Sequence, residues 1–178
     1  MTVPGFTEEW FGEFSQQTLA DLVREVADVN GLLVEVGSWE GRSTIAMANA
    51  AYPREVHAVD TWHGSPGEIS ATLAAERDVY AQFSTNILHF TQGNVVPHRM
   101  GWRDYFAEMT DPVALCFIDA EHTYDEVRAN IEAVEPLLVS GGILCGDDMH
   151  HEPVRLAVLD TLGTSPTALA SLWIWRKP

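Results

Sequence analysis

Basic residues are scarce in this sequence of 178 residues. Lysine and arginine together number 10 against 26 aspartates and glutamates, so the formal net charge is −16. Surfaces that bind nucleic acid or anionic lipid need clustered positive charge, and we therefore expect neither a nucleic-acid partner nor a membrane partner. This composition favours a protein that acts on small molecules.

Cysteines and long apolar runs are also few. The two cysteines, Cys116 and Cys145, lie in apolar strand-like runs, which indicates that both are small buried hydrophobic residues. A reducing cytoplasm is the expected location. No apolar run approaches the roughly 18 residues that a membrane span needs, and the first residues lack the basic-then-apolar order of a signal peptide.

Strand-like and helix-like segments alternate along the chain, which predicts one domain with a parallel sheet and helices on both faces. The predicted strands are residues 32–36, 56–59, 89–92, 114–118, 142–145 and 171–177, with a further short strand within 164–170. The predicted helices are residues 7–14, 16–27, 41–51, 68–86, 99–109, 124–138 and 152–162. Ser15 is the predicted N-cap of the second helix.

Two glycines after the first predicted strand indicate a ligand-binding turn. In "VEVGSWEGRST" the strand is followed by Gly37 and Gly41, where the backbone can approach a ligand, and by a helix N-terminus, which favours negative charge. The spacing matches neither the dinucleotide fingerprint G-x-G-x-x-G nor the phosphate-binding loop G-x-x-x-x-G-K-[ST]. The second strand ends at Asp60, and an acidic residue there suits two ribose hydroxyls. Together these features predict a cofactor that contains ribose.

The fourth predicted strand ends in charged residues. Residues 115–118 are apolar and are followed directly by Asp119, Glu121 and His122. Burying such groups without partners is costly, and a capping box that starts at Thr123 accounts for only part of the pattern. Asp119 and His122 remain in the turn between strand and helix, where an open α/β sheet usually places its chemistry.

These motifs resemble those of the class I S-adenosylmethionine-dependent methyltransferases. "VEVGSWEGRST" is similar to their first motif, which holds the methionine part of the cofactor. "VHAVDTW" is similar to the second, with Asp60 in the ribose position, and "TQGN" to the third, with Gly93 and Asn94 near the adenine or ribose. "CFIDAEHTYDEVRANIEAVEPLLVSGGILCGDDM" resembles a subgroup of small-molecule O-methyltransferases that act on natural-product sugars and phenols, some of them metal-dependent, and relatives described as cephalosporin-hydroxylase-like.

The resemblance, which covers residues 31–177, implies the fold and the cofactor site. The fold class would be α/β, with a Rossmann-like, doubly wound, mostly parallel seven-stranded sheet and helices on both faces. An N-terminal helical cap at residues 1–30 would precede the cofactor-binding domain at residues 31–178. The residues expected to bind S-adenosylmethionine are Glu35, Gly37, Ser38, Gly41, Ser43, Asp60, Thr61, Trp62, Gly93, Asn94 and Asp119.

The fifth predicted strand ends at Asp147 and Asp148. The resemblance implies that the fourth and fifth strands are neighbours, and parallel neighbours lie about 4.8 Å apart, so Asp119 would converge with both. Three carboxylates this close need a counter-charge, and Mg²⁺ prefers carboxylate oxygens and waters. Asp119, Asp147 and Asp148 are therefore the predicted Mg²⁺ ligands, as in some relatives with acids at these positions. The alternative is that Asp119 contacts cofactor or backbone, the other two lie at a solvated turn, and no metal binds.

His122 and Glu121 are the two candidate catalytic bases. His122 lies three residues after Asp119, and an imidazole near neutrality can take a proton from a hydroxyl that a metal has acidified. Glu121 is the rival base, and relatives differ in which position they use. His150 and His151 could be ligands or substrate contacts, although paired surface histidines are commoner.

The combined prediction is an enzyme that transfers a methyl group from S-adenosylmethionine to a hydroxyl of a small molecule, with Mg²⁺ assistance. A metal-independent small-molecule methyltransferase and a non-catalytic cofactor-binding module remain as alternatives. A DNA amino-methyltransferase would carry Asn or Asp-Pro-Pro-Tyr or Phe where residues 119–122 read D-A-E-H, and the glycine spacing disfavours a nicotinamide oxidoreductase. The short segment before the first strand leaves open a homo-oligomer formed over the pocket.

Overall fold

A computed structural model describes residues 5–178 of the chain. The strands are β1 (Leu32–Val36), β2 (Val56–Asp60), β3 (Val95–Arg99), β4 (Val113–Ile118), β5 (Leu138–Gly146), β6 (Thr167–Leu169) and β7 (Leu172–Arg176). The α-helices are α1 (Glu13–Glu25), α2 (Arg42–Ala51), α3 (Ile69–Glu76), α4 (Val79–Phe90), α5 (Trp102–Glu108), α6 (Tyr124–Val134) and α7 (Glu152–Leu162).

The strands form a seven-stranded sheet in the order β3-β2-β1-β4-β5-β7-β6. Strands β1 to β5 pair in parallel, and β7 runs antiparallel to both of its neighbours. The predicted α/β class, with a Rossmann-like, mostly parallel sheet covered by helices on both faces, is therefore confirmed. The strand order reverses between β1 and β4, and ligands of such sheets bind at the carboxyl ends of the strands around that point.

The central strands are buried on both faces because successive residues point to opposite sides of a sheet. In β4, Leu115 and Phe117 pack into the same core as α1 and α2, while Cys116 and Ile118 pack into the core formed with α6 and α7. All six residues of β4 are buried. A strand covered on both faces has no polar alternation, which is why this segment is a continuous apolar run.

The prediction for the third strand is wrong. Residues 89–92 belong to the end of α4 and the turn after it, and β3 lies at Val95–Arg99. Helix α4 begins after Asp78, whose side chain accepts a hydrogen bond from the Ala81 amide at 2.9 Å, and it ends at Phe90, inside the segment predicted as a strand. Pro97 weakens the sequence signal of β3, because proline lacks the amide donor that strand pairing uses. A proline fits there because β3 lies at the edge of the sheet.

The described part of the predicted N-terminal cap is residues 5–30. It contains one helix, α1, which begins after Gly12, so Ser15 lies inside the helix and residues 7–12 are irregular. Leu19 and Leu22 of α1 are buried in the same core as β1 and β4. Only residues 5–12, here called the N-terminal arm, lie outside this helical layer. Within the described residues, none of the helices has the length and apolar character needed to cross a membrane.

Candidate active site

A cavity of about 790 Å³ lies at the carboxyl ends of the parallel strands, a volume that suits a small-molecule ligand. Each of the strands β1 to β5 contributes residues from its end or from the turn that follows it. The residues that line the cavity from these turns include Gly37, Ser38, Asp60, Thr61, Met100, Gly101, Trp102, Asp119, Glu121, His122, Asp147 and Asp148. The N-terminal arm contributes a further wall with Phe6, Glu8, Trp10 and Phe11.

The turn after β1 depends on its two glycines. Both have a left-handed backbone, with φ of 90° at Gly37 and 88° at Gly41. A Cβ atom on Gly37 would lie only 1.9 Å from the Asp119 carbonyl oxygen, so no side chain fits between β1 and β4 there. Gly41 is the N-cap of α2 and has no side chain with which to cap the helix. The first amides of α2 therefore donate no hydrogen bond to an N-cap side chain.

Glu35 supports this turn from below and is not a wall of the cavity. Its carboxylate is fully buried and accepts hydrogen bonds from Ser38 Oγ, at 2.7 Å, and from Thr44 Oγ1. Within the described residues its Oε1 atom has no partner. Burial raises the pKa of Glu35 to about 7, against the opposing effect of the hydroxyl donors. Glu35 therefore holds the turn in position and does not itself line the cavity.

Asp60, at the end of β2, is held by the backbone of the same turn. Its Oδ2 accepts hydrogen bonds from the amides of Ser38 (2.8 Å) and Trp39 (2.9 Å), and its Oδ1 accepts one from the Trp62 amide (2.6 Å). Burial raises the pKa of Asp60, and these amides lower it. A carboxylate offers about four lone-pair positions, so capacity for a ligand hydroxyl remains beside these three bonds.

Besides Glu35, the predicted cofactor residues Trp62, Gly93 and Asn94 do not line the cavity. The Trp62 side chain is buried against Phe83 and donates its Nε1–H to the Trp39 carbonyl oxygen at 2.8 Å. Gly93 and Asn94 precede β3 and therefore lie at the opposite, amino end of the sheet. Asn94 Nδ2 donates there to the backbone carbonyl of Ala48, at 2.8 Å, so its role is structural. These positions are corrections to the prediction.

The residues after β3 replace Gly93 and Asn94 as the third wall of the cavity. Met100, Gly101 and Trp102 line the cavity at the carboxyl end of β3. They were missed because the third strand was predicted at residues 89–92, which belong to the end of α4 and the turn after it. The signal that could have identified them is the run "VVPHR", which has two β-branched residues and a proline that an edge strand accepts.

An acidic cluster with a central histidine lies at the ends of β4 and β5. His122 Nε2 lies 2.8 Å from Asp148 Oδ2 and 3.7 Å from Asp119 Oδ1. The shorter contact is not aligned as a hydrogen bond, so the two groups are held by charge. Burial would lower the pKa of His122, but the carboxylates of Asp119 and Asp148 outweigh it and raise this pKa to about 11.

This cluster differs from the predicted set of three aspartates. One ligand atom from each of Asp119, His122 and Asp148 lies within 4.8 Å of the others, and these three residues form the metal-type cluster of the described part of the chain. Asp148 has a left-handed backbone with φ of 59°, a strained conformation that is common at functional sites. Carboxylate oxygens are the donors that a divalent cation such as Mg²⁺ prefers, so Asp119 and Asp148 fit the predicted metal, with the His122 imidazole beside them.

Asp147 lies beside the cluster and is more deeply buried. Its Oδ1 atom has no hydrogen-bond partner within residues 5–178. Burial and the charge of Asp119 raise the pKa of Asp147 to about 6, although a hydrogen bond with Ser171 opposes this shift. Asp147 therefore lines the cavity as predicted, but it is not part of the compact group that Asp119, His122 and Asp148 form.

Glu68, the residue directly before α3, contacts His122 and was missed by sequence reasoning. Its Oε1 atom lies 3.0 Å from His122 Nδ1 and accepts a hydrogen bond from the His122 amide at 3.2 Å. The imidazole is thus oriented with Nδ1 toward Glu68 and Nε2 toward the aspartates. The contact joins residues 54 positions apart, and nothing in the sequence distinguishes Glu68 from the other acids.

The other predicted polar residues lie at the rim. Glu121 lines the cavity, and its pKa is raised by burial and by the charges of Glu126 and Glu68. His150 is largely exposed, with its Nε2 3.5 Å from Asp148 Oδ1, and the His151 ring lies edge-on to His122 with centroids 6.1 Å apart.

Comparison with known proteins agrees with this geometry. Residues 34–149, about two thirds of the chain, match the family described as a methyltransferase domain. Among curated protein sequences, none matches this chain significantly.

Solved structures resemble the whole fold at low sequence identity. The O-methyltransferase NovP is 19% identical with a TM-score of 0.73, and the match covers 93% of this chain and 80% of NovP. A TDP-rhamnose 3′-O-methyltransferase of calicheamicin biosynthesis is 22% identical with a TM-score of 0.64, over 98% of this chain and 87% of that one. The O-methyltransferase TomG of Streptomyces achromogenes, from tomaymycin synthesis and solved with S-adenosylmethionine, is 15% identical with a TM-score of 0.66, over 92% and 79% of the two chains.

Proposed function

Because this chain belongs to the methyltransferase-domain family, we propose that it transfers the methyl group of S-adenosylmethionine to a hydroxyl of a small molecule, with assistance from a divalent cation. The observation that supports this proposal is the meeting of two sites in one cavity. A glycine turn with an acidic strand end lies beside a cluster of two carboxylates and an imidazole. Such a cavity can hold a cofactor and a hydroxyl acceptor side by side.

The proposed cofactor contacts lie around the ends of β1 to β4. Asp60 Oδ1 would accept a hydrogen bond from a ribose hydroxyl, and residues 100–102 would flank the adenine. The amino-acid part would lie against the turn after β1 and the first turn of α2. Residues from the prediction that keep a cofactor role are Gly37, Ser38, Gly41, Ser43, Asp60, Thr61 and Asp119, all of which line the cavity or shape its turn.

Asp119 and Asp148 would hold the cation, with Asp147 beside them. When bound, a divalent cation would polarise the acceptor hydroxyl and favour loss of its proton. It would also neutralise the two carboxylates that otherwise keep His122 protonated.

His122 is the proposed proton acceptor. A charged imidazolium cannot take a proton, so His122 can serve as the base only when another positive charge neutralises Asp119 and Asp148. Its Nδ1–H then donates to Glu68, and Nε2 is left to accept the hydroxyl proton. The acceptor oxygen forms a bond to the methyl carbon as the carbon–sulfur bond breaks, which gives the methyl ether and S-adenosylhomocysteine. The protein must hold these three atoms in line.

The proposed acceptor is a hydroxyl of a sugar or phenol. The net charge of −16 argues against large polyanions as partners, and the similar solved structures include an enzyme named for a nucleotide-linked sugar. Glu121 stays the rival base because it lines the same cavity.

A metal-independent methyltransferase is the second candidate, and one observation favours it. The positive His122 already supplies a counter-charge to Asp119 and Asp148 without any metal. In that case the base would be Glu121 or the solvent, since an imidazolium cannot accept the proton.

Ligand binding followed by turnover tests the proposal. S-adenosylhomocysteine should raise the melting temperature of the protein, and NAD should not. Labelled S-adenosylmethionine should then transfer methyl to members of a panel of nucleotide sugars and phenols in the presence of Mg²⁺, as read by mass spectrometry. Equal stabilisation by NAD, or none by S-adenosylhomocysteine, would contradict the cofactor assignment. Full turnover in excess EDTA would support the metal-independent candidate.

A further inference from the structure

Arg42 is a cation on the wall of a cavity that several carboxylates also line. Two arginines of the described chain line this cavity, Arg42 and Arg103. Arg103 is paired with Glu126 through two contacts of 2.8 and 2.6 Å. Arg42 has no carboxylate within ion-pair distance among residues 5–178; its guanidinium donates one hydrogen bond, to the Glu8 backbone carbonyl at 2.9 Å. A guanidinium has five donors, so most of the binding capacity of Arg42 is unused.

The carboxylates nearest to Arg42 in the sequence already have other partners. Glu40 is buried and accepts hydrogen bonds from the amide and the hydroxyl of Thr7, at 2.8 and 2.6 Å. Arg77 lies 3.2 Å from Glu40 and 3.5 Å from the Glu8 carboxylate. The charge of Arg42 is therefore left for a ligand.

The N-terminal arm fixes the guanidinium of Arg42 in place. The Phe6 ring lies 4.3 Å from the guanidinium carbon, in the geometry of a cation–π contact, and the Glu8 carbonyl accepts the hydrogen bond from the same group. The arm is itself anchored, because the Gly5 amide donates to Asn86 Oδ1 at 3.0 Å. A guanidinium held in this way loses little freedom when it binds a carboxylate.

Arg42 also lies at the end of the cavity where the amino-acid part of the cofactor would bind. It is the first residue of α2, directly after the left-handed N-cap Gly41, where the helix favours negative charge. Asp60 marks the ribose position and the aspartate–histidine cluster marks the reacting end. The carboxylate is the only anionic group of S-adenosylmethionine, so a free cation near the glycine turn has one complement in the cofactor.

We infer that Arg42 binds the α-carboxylate of the cofactor, held for this purpose by Phe6 and Glu8 of the N-terminal arm. This inference rests on the proposed function, since it needs the cofactor to bind in this cavity. It makes Arg42 a determinant of cofactor choice, because adenosine thioethers that lack the amino-acid part gain nothing from it.

The test compares two ligands against matched arginine variants by calorimetry. S-adenosylhomocysteine carries the carboxylate, and 5′-methylthioadenosine lacks the whole amino-acid part. Arg42→Ala should weaken S-adenosylhomocysteine binding by about 10- to 100-fold, the range for hydrogen bonds to a charged group, and should change methylthioadenosine binding by less than about twofold, since no such bond is lost. Arg42→Lys keeps the charge but loses the planar fork, so it should show an intermediate loss for S-adenosylhomocysteine alone.

Arg128→Ala is the control, because Arg128 is an exposed residue of α6 that pairs with Glu132; it should alter neither ligand. Equal losses for both ligands in Arg42→Ala, or no loss for either, would overturn the inference while leaving the proposed function intact. If the wild-type protein binds neither ligand, the proposed function fails and the inference fails with it. Melting temperatures of all variants show whether Arg42→Ala is folded, and the lysine variant decides the matter if it is not.

Discussion

Two carboxylates of the cavity are held in opposite ways. Asp60 accepts three backbone hydrogen bonds, from amides that cannot change their charge. Asp148 is held mainly by His122, whose charge depends on pH and on any cation nearby. The Asp60 end is thus fixed before a ligand arrives, whereas the Asp148 end can exchange its counter-charge. A binding site for a constant cofactor suits the first arrangement, and a site where a proton must move suits the second.

The largest expected effect tests the changeable end through turnover. His122→Ala should lower kcat by about 10²- to 10⁴-fold, the range for loss of a general acid–base group, while S-adenosylhomocysteine affinity stays close to that of the wild type. Single-turnover rates with an acceptor from the panel would measure this loss. Glu121→Gln is the comparison variant, and a larger loss there would assign the base to Glu121.

Loss of Asp60 tests the fixed end through binding. Asp60→Ala should weaken S-adenosylhomocysteine binding by about 1.5–3 kcal/mol, because a charged acceptor for the ribose disappears and the turn after β1 loses its support. Asp60→Asn, which keeps one acceptor oxygen, should lose less. Calorimetry would measure both, with the exposed Asp21→Ala as a control that should bind normally. Normal binding by Asp60→Ala would show that the cofactor does not rely on this end.

Metal binding tests whether a cation can replace His122 as the partner of the aspartates. Mg²⁺ should raise the melting temperature of the wild-type protein, and Asp119→Asn or Asp148→Asn should weaken Mg²⁺ binding by about tenfold or more, as for groups that support a metal site. Asp147→Asn should have a smaller effect, because Asp147 lies outside the compact cluster.

The exposed Asp125→Asn on α6 is the control for these metal titrations. If Mg²⁺ does not change the melting temperature of the wild-type protein, the metal site is contradicted.

The smallest expected effect is a pH dependence of stability without metal. The pKa of His122 is raised to about 11 in the folded protein. The stabilisation of the folded state by His122 is therefore complete below its unfolded pKa near 6.5 and is lost as pH rises toward 11. Glu35 and Asp147 also have raised pKa values, about 7 and about 6. The stability that they lose as pH rises is mostly lost by neutral pH, so it overlaps little with the effect of His122.

Melting temperatures in EDTA should therefore fall between pH 7 and 10 in the wild type and fall less in His122→Gln. Saturating Mg²⁺ should flatten the wild-type curve, since the cation replaces the imidazolium. Identical slopes in the two proteins would show that His122 does not stabilise the cluster through its charge.

Local signals explain what could be predicted from this sequence. The two-sided burial of β4 appears directly as an apolar run. The N-cap half of the predicted capping box is present, since the Thr123 side chain accepts a hydrogen bond from the Glu126 amide at 3.3 Å, while the Glu126 carboxylate pairs with Arg103 instead of the Thr123 amide. Apolar runs also predict where β1, β2, β4 and β5 end. Asp60, Asp119 and Asp148 stand at or just after those ends, and this is why they could be predicted as cavity residues.

The remaining features depend on contacts between distant parts of the chain. Glu68 and His122 meet only after α3 and its preceding loop fold over the cavity, and Arg42 is positioned by an arm that has no regular structure. The prediction for β3 failed because α4 continues to Phe90 and the strand begins only at Val95, and this error moved the third wall of the cavity to the wrong edge. The choice of His122 over Asp147 as the third member of the cluster depends on side-chain directions that spacing does not reveal.

The contact between Gly37 and the Asp119 carbonyl has a consequence for how this protein could be engineered or could diverge. A library that seeks new acceptors can vary the rim at His150, which is largely exposed and lines the cavity. Position 37 offers no such freedom, since any added side chain would push β1 from β4 and disturb the cofactor turn and the aspartate cluster in a single step. Variation at that glycine should be absent from every active clone.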